Sequence, residues 1–139
     1  MNVLFDNCTA PRLAATLGGY IGADGHQAFH IKDLPGLSKG RSSPDIEWIE
    51  LLRKDSENWI FISGDGRILK NSAERAALRS AGLHGFILSP AYQKTQQNQV
   101  AATIVWKWPE IESITKLLAP PSMHEIPIRR IQKIRQLNL

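Results

Sequence analysis

Short apolar runs that alternate with helical patterns are the feature that most constrains the fold of this chain. Four runs are predicted to be β-strands: Asn2–Asp6, Gln27–Ile31, Trp59–Ser63 and His84–Ser89. A helical pattern follows each of them, and the order βαβαβαβα is typical of a mostly parallel sheet with helices on both faces. We therefore predict the α/β class, with no internal repeat.

Capping residues predict where two of the helices begin. Ser43 is the expected N-cap of a helix with Pro44 at its first position, since proline there has no backbone N–H to leave unpaired. Asn71 followed by Glu74 resembles a capping box, and that helix is expected to end at Gly82.

Prolines and glycines predict the limits of the other two helices. The first helix should begin at Pro11 with Thr9 as its cap and end near Gly18-Gly19 or Gly22. The last is expected from about residue 95 to 108, restarting at Pro109 and continuing to residue 118.

The length and the charge distribution suggest one main domain and a basic end. The chain has 139 residues, enough for one domain with a core. We predict a domain over residues 1–121 and a basic C-terminal extension over residues 122–139, which could form a final strand of the same domain. The net charge is +4, and most of it lies in this extension, which favours polyanionic partners.

The composition excludes several classes of protein. No apolar run approaches the length of a membrane span, and the first residues do not resemble a secretory signal. Cys8 is the single cysteine, so no internal disulfide can form. We expect a cytoplasmic protein with no membrane association.

Three aspartates occupy the positions where a ligand would bind in such a fold. Asp6 ends the first strand, Asp65 follows the third, and Asp45 lies where a helix begins. Ligands of open α/β sheets bind at the carboxyl ends of the strands. Three carboxylates gathered there repel one another unless a hard cation, usually Mg²⁺ or Mn²⁺, lies among them. Such a cation would assist phosphodiester hydrolysis.

Each aspartate also has a simpler explanation. Asp45 suits the dipole of a helix N-terminus, and Asp65 suits a glycine-rich turn. Asp6 directly follows a buried strand and has no evident packing purpose. Taken jointly, the three favour a site.

Other chemistries have less support in the sequence. The residues after the first strand lack the Gly-x-Gly-x-x-Gly phosphate loop, and the four histidines have no zinc-ligand spacing with the cysteine. A phosphatase or receiver-like domain would share an acidic sheet edge, but no phospho-accepting aspartate with a lysine partner can be assigned.

Several polar and basic residues near the aspartates are candidates for substrate binding. Asn7 could orient a metal-bound water or cap a turn, and the basic residues could contact a nucleic-acid backbone or be solvated. The candidates are Asn7, Arg12, Lys39, Arg41 and Arg67.

The chain resembles the PIN-like nuclease superfamily, in particular compact proteins related to VapC-type toxins. The similar stretches are residues 3–7 with 11–13, residues 43–49 and residues 59–67. The resemblance implies a Rossmann-like three-layer α/β/α sandwich and a metal-dependent ribonuclease, with Asp6, Asp45 and Asp65 as the acidic site residues. It also implies the toxin role, a cognate antitoxin as partner and, by analogy, a homodimer.

The sequence departs from the family pattern after the third aspartate. A fourth acidic residue commonly follows there, and Gly66-Arg67-Ile68 supplies none. Either three carboxylates suffice, or Asp33, Glu47 or another acid takes the position. The alternative function is therefore a non-catalytic PIN-like module that binds RNA or protein.

Overall fold

A six-stranded sheet forms the centre of the molecule in the computed structural model, which describes residues 1–139. The strands are β1 (Asn2–Phe5), β2 (Gln27–His30), β3 (Trp59–Ser63), β4 (His84–Leu88), β5 (Ser122–Ile126) and β6 (Arg135–Leu137). Their order is β2-β1-β3-β4-β5-β6, and only β6 is antiparallel to its neighbour. The carboxyl ends of the five parallel strands therefore share one edge of the sheet.

Four α-helices and five short 3₁₀ helices connect the strands. The α-helices are α1 (Pro11–Ile21), α2 (Asp45–Lys54), α3 (Ser72–Ala81) and α4 (Gln97–Leu117). The 3₁₀ helices cover Gly22–Asp24, Ile31–Asp33, Gly40–Ser42, Gly66–Leu69 and Pro90–Lys94. No helix combines the length and the apolar character that a bilayer-spanning segment needs.

The two faces of the sheet carry separate cores because strand side chains alternate between them. Val3 and Phe5 pack against α1 and α4, whereas Leu4 packs against α2 and α3. Both faces are covered, so the predicted three-layer α/β/α sandwich with a mostly parallel sheet is confirmed.

One predicted helix end is confirmed and two other helix predictions are wrong. The helix α1 ends at Ile21 with Gly22 as its C-cap, the later of the two predicted ends, but its N-cap is Ala10 rather than Thr9, whose hydroxyl donates to the carbonyl of Asp6 at 2.7 Å. The helix α4 is also unbroken at Pro109, because the buried residues on either side of this proline hold it against the sheet.

The C-terminal residues are part of the sheet. Strand β5 pairs with β4 along its whole length, and Met123 and Ile126 are buried in the two cores. A loop over residues 127–134 then leads to β6 at the edge. The basic residues at positions 129–133 consequently lie on this loop, close to α4.

Candidate active site

Asp6 lies directly after β1, at the carboxyl edge of the sheet. Its carboxyl group accepts hydrogen bonds from the backbone amides of Cys8 and Gly64, at 3.1 and 3.2 Å, and from the hydroxyl of Ser63. Cys8 lies in the loop after β1, Ser63 is the last residue of β3, and Gly64 begins the loop after β3. The orientation of the carboxyl group is therefore fixed by two neighbouring strands.

The surroundings of Asp6 disfavour its charged form. The residue is only 3% exposed, and burial raises the pKa of its carboxyl group to about 6, with a smaller contribution from the negative charge of Asp45. The hydrogen bonds from Ser63, Gly64 and Cys8 lower the pKa but do not outweigh burial. No basic side chain forms an ion pair with Asp6.

Gly64 allows the loops after β1 and β3 to touch. A Cβ at this position would lie 2.5 Å from the carbonyl oxygen of Cys8, which no real side chain could tolerate without a backbone shift. This close approach brings the loop of Asp65 beside that of Asp6. The thiol of Cys8 lies 3.9 Å from Oδ2 of Asp65, and burial with the nearby negative charges of Asp6 and Asp65 raises its pKa to about 11.

Asp65 is bound by its own neighbour in sequence. Its carboxylate accepts hydrogen bonds from the backbone amide of Arg67 at 2.9 Å and from the guanidinium at 2.7 to 3.0 Å. The Arg67 hydrogen bonds hold the pKa of Asp65 below its usual value. Arg67 is 83% exposed, so this ion pair faces solvent and contributes little to stability.

Asp45 is the first residue of α2, but the predicted cap is wrong. Pro44 occupies the N-cap position, and the hydroxyl of Ser43 accepts a hydrogen bond from the amide of Lys39 at 3.0 Å instead. The Asp45 carboxylate accepts a hydrogen bond from Nε1 of the buried Trp48 at 2.8 Å. Trp48 thereby anchors this carboxylate to the core.

Glu74 is the acidic residue that sequence reasoning missed. It lines one open cavity of about 530 Å³ together with Asp45 and Asp65. Burial raises the pKa of Glu74, with contributions from the charges of Asp45 and Asp65. The two acids named as substitutes are engaged elsewhere: Asp33 pairs with Lys32, and Glu47 accepts hydrogen bonds from Ser38.

The cap of α3 explains why Glu74 is available. Asn71 caps the helix as predicted, with its side chain accepting from the amide of Glu74 at 3.0 Å. The reciprocal bond of a capping box, from the Glu74 side chain to the amide of Asn71, is not formed. The carboxylate consequently faces the cavity. The Asn-x-x-Glu spacing predicts the helix start, but it does not predict that the Glu74 carboxylate reaches this cavity.

The four acids suit a hard divalent cation by their chemistry and their mutual repulsion. Carboxylate oxygens are the preferred protein ligands of Mg²⁺, which commonly binds one or two of them and retains several waters. No group of three or more His, Cys, Asp or Glu side chains is arranged to ligate one ion directly. Asp6, Asp45 and Asp65 thus lie at one edge of the sheet without forming a closed cage, and their role stays a prediction.

The predicted substrate-binding residues divide into two groups. Arg12 and Lys39 are exposed and have no acidic partner. Arg41 donates from Nε to the side-chain oxygen of Asn7 at 2.7 Å, and Arg67 is bound to Asp65. Asn7 therefore ties the long loop over residues 33–43 to the edge that carries Asp6.

Comparison with known protein families identifies the family to which the chain belongs. A family model described as a PIN like domain matches residues 1–90, a span that contains β1 to β4 and all four acids. The chain belongs to this PIN-like domain family, which is of the nuclease type. No match is found among curated proteins or among solved structures.

Proposed function

We propose that this protein is a Mg²⁺- or Mn²⁺-dependent endoribonuclease with Asp6 at the centre of its site. The observation that carries the proposal is a buried carboxyl group without a cationic partner. Burying such a group costs free energy, and Asp6 is surrounded by hydrogen-bond donors and a second acid, Asp45. A divalent cation would compensate this cost.

The residues that would hold the cation are Asp6, Asp45 and Asp65, with Glu74 as the fourth acid. A divalent ion bound there would supply a more acidic water and would neutralise charge on the scissile phosphate. The chain itself contributes orientation: Ser63 and two amides fix Asp6, and Trp48 fixes Asp45. The Asp65–Arg67 ion pair would exchange for the metal.

The substrate is proposed to be RNA because a polyanion fits the basic residues around the acids. Arg12, Lys39 and Arg41 are exposed beside the carboxyl edge and would contact phosphates. Once released from Asp65, Arg67 would do the same. The toxin role, a cognate antitoxin, a homodimer and a cytoplasmic address belong to the same proposal and rest on the resemblance to VapC-type toxins.

The test is cleavage of a mixed RNA pool with Mg²⁺ or Mn²⁺ by the wild type and by Asp6→Asn. The variant should lose nearly all cleavage while remaining folded, since the raised pKa shows that the site tolerates an uncharged group. Asp33→Asn is the matched control, because Asp33 is an exposed acid paired with Lys32. Equal cleavage by wild type and Asp6→Asn would remove the nuclease proposal.

The second candidate is a non-catalytic PIN-like module that binds RNA or protein. Two observations favour it: no preformed group of three ligands is present, and Arg67 already neutralises Asp65. Calorimetric titration with Mn²⁺ separates the two candidates. Binding that disappears in Asp6→Asn supports the nuclease, and absence of binding in the wild type supports the module.

A further inference from the structure

An exposed aromatic groove lies between α1 and α4, outside the cavity that Asp45, Asp65 and Glu74 line. Tyr20 is 52% exposed and Trp106 is 62% exposed, and both line an open groove of about 540 Å³. The other three tryptophans are buried in the cores. Two large rings exposed on one groove indicate a binding surface, because burial would otherwise stabilise the fold.

A basic side chain covers part of this groove. The guanidinium carbon of Arg130 lies 5.4 Å from the centroid of the Trp106 ring, in cation–π contact. Arg130 belongs to the loop over residues 127–134. Its position beside the groove is thus set by how that loop is attached to α4.

Two side chains of α4 hold the loop in place. Lys107 is 2% exposed, and its ammonium group donates to the carbonyl of Gln132. Glu110 accepts from the amide of Ile134 at 2.8 Å. Burying a lysine is costly. The hydrogen bond from Lys107 to Gln132 offsets part of this cost and fixes the conformation of the loop in the folded protein.

The loop presents positive charge that the protein does not neutralise. Arg129, Arg130 and Lys133 form no ion pair. The nearby acids already have other partners: Glu110 bonds Lys107, Glu112 bonds His26 and Lys116, and Glu125 bonds Arg135. An anionic partner would therefore find Arg130 beside two exposed rings, with Arg129 and Lys133 on the same loop.

We propose that this groove binds single-stranded RNA, with bases against Tyr20 and Trp106 and phosphates near Arg129, Arg130 and Lys133. Stacking on aromatic rings combined with a basic track is the usual recognition of single strands. The choice of RNA rather than another polyanion rests on the proposed function. A second copy fits poorly, since a two-fold interface would place the basic loops against each other.

The groove lies within reach of the acidic edge. Gln97 begins α4 and lines a small cavity with Cys8 and Gly64. Trp106 is nine positions further along the helix, which corresponds to about 14 Å at the rise of an α-helix. One RNA segment of a few nucleotides could therefore contact both.

The test measures binding of a fluorescein-labelled, single-stranded 12-mer RNA by anisotropy, in EDTA so that no metal-dependent cleavage occurs. Trp106→Ala and Tyr20→Ala should each weaken binding about fivefold or more, and Trp106→Phe should retain most of it. Arg130→Gln should weaken binding and reduce its salt dependence. The matched controls are Leu117→Ala and Arg79→Gln, which are exposed residues on other surfaces.

Three outcomes would overturn the proposal. The first is unchanged affinity in Trp106→Ala and Tyr20→Ala. The second is equally tight binding of inorganic polyphosphate, which offers no base to stack. The third is a dimer in solution that Trp106→Ala dissociates, which would assign the groove to a second copy. Because the assay contains EDTA and measures binding alone, a failure of the nuclease proposal does not change how the binding result is interpreted.

Discussion

Asp6 and Glu74 both have a raised pKa, although they lie in different surroundings. Asp6 is buried at the end of a strand and held by three donors, whereas Glu74 lies in an open cavity among other carboxylates. The pKa of each is raised, chiefly by burial and further by neighbouring negative charge. Both features support the proposal that these acids bind a cation.

Glu74→Gln should weaken Mn²⁺ binding about tenfold, equivalent to about 1.4 kcal/mol, because it removes one negative charge from the cavity shared with Asp45 and Asp65. Calorimetric titration measures this effect. Glu57→Gln serves as the control, since Glu57 is exposed and lies after α2, outside that cavity. Identical affinities for wild type and Glu74→Gln would exclude Glu74 from the site.

Among the elements, α4 makes three different kinds of contact. Val100, Ile104, Trp108 and Ile111 pack on the sheet, Trp106 faces solvent, and Lys107 and Glu110 hold the loop over residues 127–134. Its 21 residues therefore connect the core, the aromatic groove and the basic loop.

Lys107→Met should leave the free energy of unfolding nearly unchanged but loosen this loop. An apolar side chain of similar length fills the same space and removes the cost of burying the ammonium group, while Glu110, its partner at 3.7 Å, is 27% exposed and stays hydrated. The carbonyl of Gln132 loses its donor, so trypsin should cleave after Arg129, Arg130 or Lys133 several-fold faster. The control is Lys116→Met, because Lys116 lies on the same helix and is 72% exposed. Equal rates of digestion of the wild type, Lys107→Met and Lys116→Met would show that Lys107 does not restrain the loop.

At the scale of the whole molecule, buried histidines couple stability to pH. His84 and His124 both contact the hydroxyl of Ser122, at 2.6 and 2.8 Å, and His124 stacks on Phe86. Burial lowers the pKa of His124 to about 4, with a smaller contribution from His84, whose own pKa burial also lowers. Asp6 acts in the opposite sense, since its pKa is raised in the folded protein.

The stability that depends on neutral His124 should be complete above pH 6.5 and should decrease as the pH falls toward 4. In that interval the unfolded chain binds a proton that the folded chain does not. Urea unfolding at pH 7 and pH 4.5 should show that wild type loses about 2 kcal/mol more than His124→Gln between these values. An equal loss of unfolding free energy in wild type and His124→Gln would show that His124 does not cause this pH dependence.

The sequence was sufficient to predict the fold and the strand-end acids, because both depend on local apolar runs. It could not reveal Glu74, whose approach to Asp45 and Asp65 depends on how α3 packs beside α2. Nor could it show that Arg67 binds Asp65. Trp106 and Trp108 lie two positions apart on α4 and therefore on nearly opposite sides of the helix, so one is exposed and the other is buried.

The folded unit extends beyond the region that matches the family, because β5 lies between β4 and β6 in the sheet. The family match stops at residue 90, yet α4 and β5 supply Val100, Ile104, Trp108, Ile111 and Ile126 to one core. A recombinant fragment cut at the homology limit would leave that hydrophobic face bare and β4 as an unprotected edge, which favours aggregation. Cloning boundaries for this protein should therefore follow the sheet, not the alignment.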